Sequence, residues 1–118
     1  MGAQRRLVAS GSATSEGFLT RSTDGQYVVF SGYDAAVATA SITGTTSATV
    51  PRVIGRVAAD GTIDTSTALT DAISGGNPRS AASTNGVDLW LSGTSLGGGI
   101  RYATLGSATS TSLATTPT

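Results

Sequence analysis

An eleven-residue stretch occurs twice, and its turn chemistry commits much of the chain to antiparallel hairpins. Ser22-Thr23-Asp24-Gly25-Gln26-Tyr27-Val28-Val29-Phe30-Ser31-Gly32 aligns without gaps on Ser83-Thr84-Asn85-Gly86-Val87-Asp88-Leu89-Trp90-Leu91-Ser92-Gly93, with five of eleven positions identical. Asp-Gly and Asn-Gly pairs between apolar runs favour tight hairpins. The type I′ turn they suit needs positive φ at both central residues, which aspartate, asparagine and glycine tolerate best. The runs Tyr27–Phe30 and Leu89–Leu91 are continuously apolar, the form of strands covered on both faces.

A second pattern occurs three times: an arginine, four residues, a glycine, then Ser or Thr. Its copies run Arg6 to Gly11, Arg56 to Gly61 and Arg101 to Gly106, and the first and third share Gly-Ser-Ala-Thr-Ser. Read as hairpins, the two patterns alternate. One hairpin of each kind makes four strands, recurring about every 45–50 residues, which is the blade of a β-propeller. The expected organisation is one all-β domain over 1–118, about two and a half blades. Residues 1–16 form an orphan hairpin, 17–73 a first blade with a loop insertion at 35–50, and 74–118 a second blade. Gly75-Gly76-Asn77-Pro78 reads as the link between blades.

The segments Gly11–Gly17, Arg21–Gly25 through Ser31-Gly32-Tyr33-Asp34-Ala35, Arg52–Gly61 with Asp64–Asp71, and Arg79-Ser80 through Ser92-Gly93 resemble a group of bacterial exported repeat proteins. Those proteins are irregular β-propellers, longer than this chain and mostly uncharacterised. The resemblance implies a two-blade piece of such a protein, natural or designed, or a small relative that assembles. It implies an exported or extracellular setting, and it carries over no catalytic residue or cofactor. No apolar stretch follows Arg5-Arg6, so no signal peptide is read here.

Composition narrows the chemistry. The chain has no histidine, cysteine or lysine, and seven arginines balance seven carboxylates. Disulfides, Cys/His zinc sites, histidine-based triads and Schiff bases are excluded. A neutral chain matches a phosphate backbone poorly, so no nucleic acid is expected as partner. No apolar run reaches the roughly 20 residues of a membrane helix. Leu, Ile, Val and Phe fill only about one fifth of the chain, near the lower limit for a packed domain.

Individual residues then divide between structure and chemistry. Asp60 and Asp64 flank a glycine turn, as calcium ligands do, but two acids are few for a hard cation and Asp-Gly suits the turn itself. Gly97-Gly98-Gly99 lacks the Lys-Ser/Thr of a phosphate loop and reads as a flexible hairpin loop. Arg6, Arg56 and Arg101 are expected to lie across a neighbouring blade and pair with carboxylates. Trp90 aligns with Val29 and reads as core. Glu16 is the sole glutamate, so no carboxylate pair for glycoside hydrolysis is evident. Arg21 and Arg79 precede the repeated hairpins and could face a central channel. With Tyr33 and Asp34 at a strand end, they are the candidate ligand contacts, a glycan being the ligand class that an aromatic ring suits.

Two and a half blades do not close a ring, and open sheet faces favour association. The expectation is therefore a non-enzymatic structural segment without cofactor, whose partner is itself, as a homo-oligomeric ring ahead of an open filament. Arg6, Leu7, Val8, Arg101 and Tyr102 are the candidate assembly residues. A lectin-like ligand module formed on assembly is the alternative.

Overall fold

The computed structural model describes residues 3–115. Two four-stranded antiparallel sheets account for the architecture. The first holds β1 (Thr20–Arg21), β2 (Tyr27–Tyr33), β3 (Arg52–Ala58) and β4 (Ile63–Leu69), in that order. The second repeats the plan with β5 (Pro78–Ser83), β6 (Asp88–Gly93), β7 (Gly99–Thr104) and β8 (Thr111–Ala114). Each aligned eleven-residue stretch folds as expected, into the first turn and second strand of its sheet.

The turns differ in type from the expected one. Only the glycines are left-handed, Gly25 at φ +75° and Gly86 at φ +78°. The residue before each glycine instead accepts the N–H two positions on: Asp24 from Gln26 at 3.0 Å, Asp60 from Thr62 at 2.9 Å and Asn85 from Val87 at 2.9 Å. Asx geometry with one left-handed glycine replaces the type I′ turn.

Among the described residues the N-terminal segment forms no hairpin. Residues 3–17 run back over their own first sheet as a strap, with one antiparallel bridge between Val8 and Tyr33. Gly11–Ser15 holds no apolar residue larger than alanine, so a hairpin there would bury too little to form. The insertion at 35–50 is a loop with one 3-10 turn, Ile42–Gly44. It is tied to the inter-sheet link by Ser47, whose hydroxyl donates to the Thr70 carbonyl at 2.8 Å.

The first strands of the two sheets, β1 and β5, run side by side where the sheets meet, and are the inner strands of the pair. Phe18 bridges Ser80 in parallel, and the amides of Gly17, Phe18, Thr23 and Asp24 donate to the carbonyls of Pro78, Arg79, Ser83 and Thr84. From this shared edge the sheets stack around Val29, Ile54, Leu69, Ile73, Ala81, Leu89, Leu91 and Ala103. The stacking is front to back. In the sequence match Val28 equals Leu89 and Val29 equals Trp90. The first sheet turns its Val29 face inward and the second turns its Leu89 face inward.

Trp90 is consequently not in the shared core. It lies half-buried on the second sheet's outer face, its ring 5.5 Å from that of Tyr102. A doubly apolar strand does not reveal which face meets the neighbouring sheet.

Gly86 couples a turn to this packing. A Cβ there would run into the Tyr27 ring of the other sheet, and that ring lies 4.6 Å beneath the Arg56 guanidinium. Gly86→Ala combines a left-handed backbone with an overpacked contact. It is expected to lower stability by about 1–3 kcal/mol, read from the urea midpoint. An unchanged midpoint would show that Tyr27 moves aside freely.

Candidate functional site

The four candidate ligand contacts do not converge. Tyr33 is fully buried, its ring 4.9 Å beneath the Arg52 guanidinium, where a surface ligand does not reach it. Asp34 is occupied by Arg5 and Arg6 at 3.2 Å each, and these pairs pin the strap. Arg21 and Arg79 both lie exposed on the inner strands. Arg21 turns back to the Gly25 carbonyl, and Arg79 sits further along the shared edge beside Phe18.

Of the candidate assembly residues, Arg6, Leu7 and Val8 are engaged within their own chain: Arg6 on Asp34, Val8 on Tyr33, and Leu7 laid over Gly32 and Gly55. The second copy of the arginine pattern bridges the sheets, and the third ties its own sheet to the link after β4. Arg56 donates to the Gly86 carbonyl at 2.9 Å and stands 3.9 Å from Asp64. Arg101 pairs with Asp71 at 3.4 Å and donates to the Ser110 hydroxyl. They are not equivalent in space. Register places Arg56 opposite Val29 and Arg101 opposite Leu91, so they enter the inter-sheet space from opposite sides. Tyr102 donates its hydroxyl to Asp88 at 2.5 Å.

Sequence reasoning passed over Arg52, the largest fully buried side chain. Its guanidinium donates to the Thr45 hydroxyl and to the carbonyls of Thr43, Thr45, Val50 and Gly76, at 2.8–3.2 Å. No carboxylate touches it among the described residues. Glu16 acts at one remove, accepting the Tyr33 hydroxyl at 2.7 Å and the Ser10 amide at 2.6 Å. The cluster locks strap, insertion and inter-sheet link together.

Asp60 and Asp64 do not converge on a common point. Asp60 caps its own turn, and Asp64 accepts the amide and hydroxyl of Ser66. Gly97–Gly99 is firmly held rather than loose: the Gly97 carbonyl accepts the Ile73 amide, and a Cβ on Gly99 would collide with the Ala114 carbonyl.

Four carboxylates are held below the usual range. Hydrogen bonds from Ser22 and Gln26 lower Asp24, those from Thr62 lower Asp60, and those from Tyr102 and Asn85 lower Asp88. Burial pushes Asp64 up, but the Ser66 hydrogen bonds and Arg56 outweigh it. Two tyrosines move upward, Tyr33 chiefly by burial and Tyr102 by its bond to Asp88. Lowered carboxylates contribute stability that is present above about pH 4 and lost as acid protonates the folded form. Raised tyrosines contribute stability below about pH 10, lost as pH climbs through their folded values. With no histidine, the urea midpoint is expected to stay flat from about pH 5 to 7. A midpoint that drifts across that window would contradict these assignments.

The remaining surface features are the two outer sheet faces. On the second sheet, Ser80, Ala82, Trp90, Ser92 and Ile100 line a shallow depression of about 180 Å³. On the first, Val28 and Val57 line one of about 140 Å³, bordered by Arg21. Both are largely apolar, and no group of three or more acidic residues that could hold a metal occurs among the described residues. No helix is long and apolar enough to cross a membrane among the described residues. No family model, no curated protein and no solved structure matches the chain.

Proposed function

We propose that this chain is a non-enzymatic structural segment, two blades of a β-propeller, that completes its architecture by associating with further copies of itself. One observation carries the reading: the two sheets stack front to back along parallel inner strands β1 and β5, as successive blades do around a propeller axis. Such a pair ends on two unlike open faces. The ring is the favoured product, and a filament follows if the rotation per copy does not close. The resemblance read from the sequence, to exported propeller-type repeat proteins, is part of this proposal. The polar side chains also suit structure: Asp64, Asp71 and Asp88 already serve Ser66, Ser110 and Tyr102.

Light scattering on a sizing column tests it. A discrete multiple of 11.6 kDa is expected for a ring, and a broad, concentration-dependent distribution for a filament. A folded monomer at every concentration would overturn both. A second reading, carbohydrate binding, is favoured by the accessible Trp90–Tyr102 pair beside the Ser80 and Ser92 hydroxyls. A glycan screen separates it from the first.

A further inference from the structure

The two sheets carry matching positions, and at the apolar matches one member is buried in the inter-sheet core while the other is half-buried or exposed. Cross-strand register fixes the matches. Val28 lies opposite Val57 as Leu89 lies opposite Ala103; Val29 opposite Arg56 as Trp90 opposite Tyr102; Ser31 opposite Ile54 as Ser92 opposite Ile100. On the first sheet's inner face Val29 and Ile54 are 0% exposed, whereas Ile100, the counterpart of Ile54, is 46% exposed. On the second sheet's inner face Leu89 is 0% and Leu91 1% exposed. Val28, the counterpart of Leu89, is 36% exposed, and Phe30 and Val57 are half-buried.

The strap follows the same rule. Gly32 of the first sheet matches Gly93 of the second. Leu7 fills the space that a Cβ on Gly32 would need, and Ile73 of the inter-sheet link fills the space beside Gly93. At the inner seam the Ile73 link and the Leu89–Leu91 contact coexist. The strap therefore occupies a linker's place, with Leu7 beside the half-buried Phe30 over Gly55, and leaves Val28 and Val57 uncovered.

We infer that the outer face of the second sheet, Ala82, Trp90, Ile100 and Tyr102, docks the outer face of the first sheet, Val28, Phe30 and Val57, of a second copy of this chain. The occupant is a second copy because the two open faces are the two halves of the seam that the chain already builds internally. The contact is head to tail, with the strap retained in it. This rests on the self-assembly reading above and adds its seam.

Two variants test it, Val28→Glu and Ile100→Glu, each spoiling one face and leaving Trp90, the single tryptophan, as reporter. Far-UV circular dichroism and thermal melts establish that they fold; Val28→Thr and Ile100→Thr serve if the charged pair does not. Each variant alone is expected to associate at least tenfold more weakly than the parent chain. Mixed, they should form one species of about twice 11.6 kDa, because one good seam remains between them, and Trp90 emission should shift to the blue. A parent chain that assembles while neither variant weakens it would overturn this seam and leave self-association standing. Variants that each stop assembly but do not complement would overturn the head-to-tail arrangement. A monomeric parent chain whose Trp90 emission responds to added oligosaccharide instead of to protein concentration would overturn both and make the face a carbohydrate site.

Discussion

Replacing Arg52 by methionine is expected to destabilise the chain by about 3–5 kcal/mol, because four carbonyls and a hydroxyl lose their donors at once and a buried orphan costs about 1–3 kcal/mol. Against a total stability of about 5–15 kcal/mol for a domain, that loss leaves a substantial unfolded fraction. The acceptors belong to Thr43, Thr45, Val50 and Gly76, so the insertion should detach from the inter-sheet link first. Arg52→Lys is expected to rescue little. An ammonium has three donors and no planar fork, and it cannot span the acceptors that the guanidinium reaches while stacked on Tyr33. Urea unfolding and amide exchange at residues 43–50 check both. A midpoint within about 0.5 kcal/mol of the parent would show that water replaces the guanidinium at no cost.

The second large effect is a contrast between matched positions. Ile54→Ala is expected to cost about 2–5 kcal/mol, since the side chain is fully enclosed between the sheets and its removal leaves a cavity. Ile100→Ala, at the corresponding place on the second sheet, should cost under about 1 kcal/mol in the dilute chain, because solvent already reaches it. If the outer faces meet in the assembled form, the penalty at Ile100 should rise with protein concentration while that at Ile54 stays constant. Equal penalties at both positions in dilute solution would mean that the outer face is covered within one chain.

Much of the fold was legible because its signals are local. Asp24-Gly25, Asp60-Gly61 and Asn85-Gly86 mark turns by side-chain chemistry within two residues, and the flanking apolar runs supply the strands. The two four-stranded sheets follow from them, with residues 35–50 between β2 and β3. What was not legible depends on partners distant in sequence. Arg6–Gly11 carries the same arginine-to-glycine spacing as Arg56–Gly61, yet its Val8 bridges Tyr33, so it becomes a strap. Arg56 and Arg101 look equivalent in sequence but stand on opposite faces, because register is set across the sheet and not by the pattern around each arginine. Trp90 and Leu89 are equally apolar neighbours, and only the position of the other sheet decides which is enclosed. Arg52 left no signal at all. Its partners are mostly backbone carbonyls, which every residue possesses, and the carboxylate that helps it does so through Tyr33. The candidate ligand residues dispersed for a related reason: Tyr33 and Asp34 are spent on anchoring the insertion and the strap.

Front-to-back stacking also makes the number of sheets a free variable. A pair of sheets related by a two-fold axis is finished once formed, since both inner faces are consumed. A front-to-back pair ends on a face that already suits another sheet of the same kind. Tandem duplication of one four-stranded unit with its linker would therefore add a layer without requiring a new contact, and loss of one would leave the neighbouring layers intact. The two matched stretches at 22–32 and 83–93 have the form that such copying leaves behind, with identity kept at the turn and strand-end positions Ser22, Thr23, Gly25, Ser31 and Gly32 and drift among the apolar positions between them.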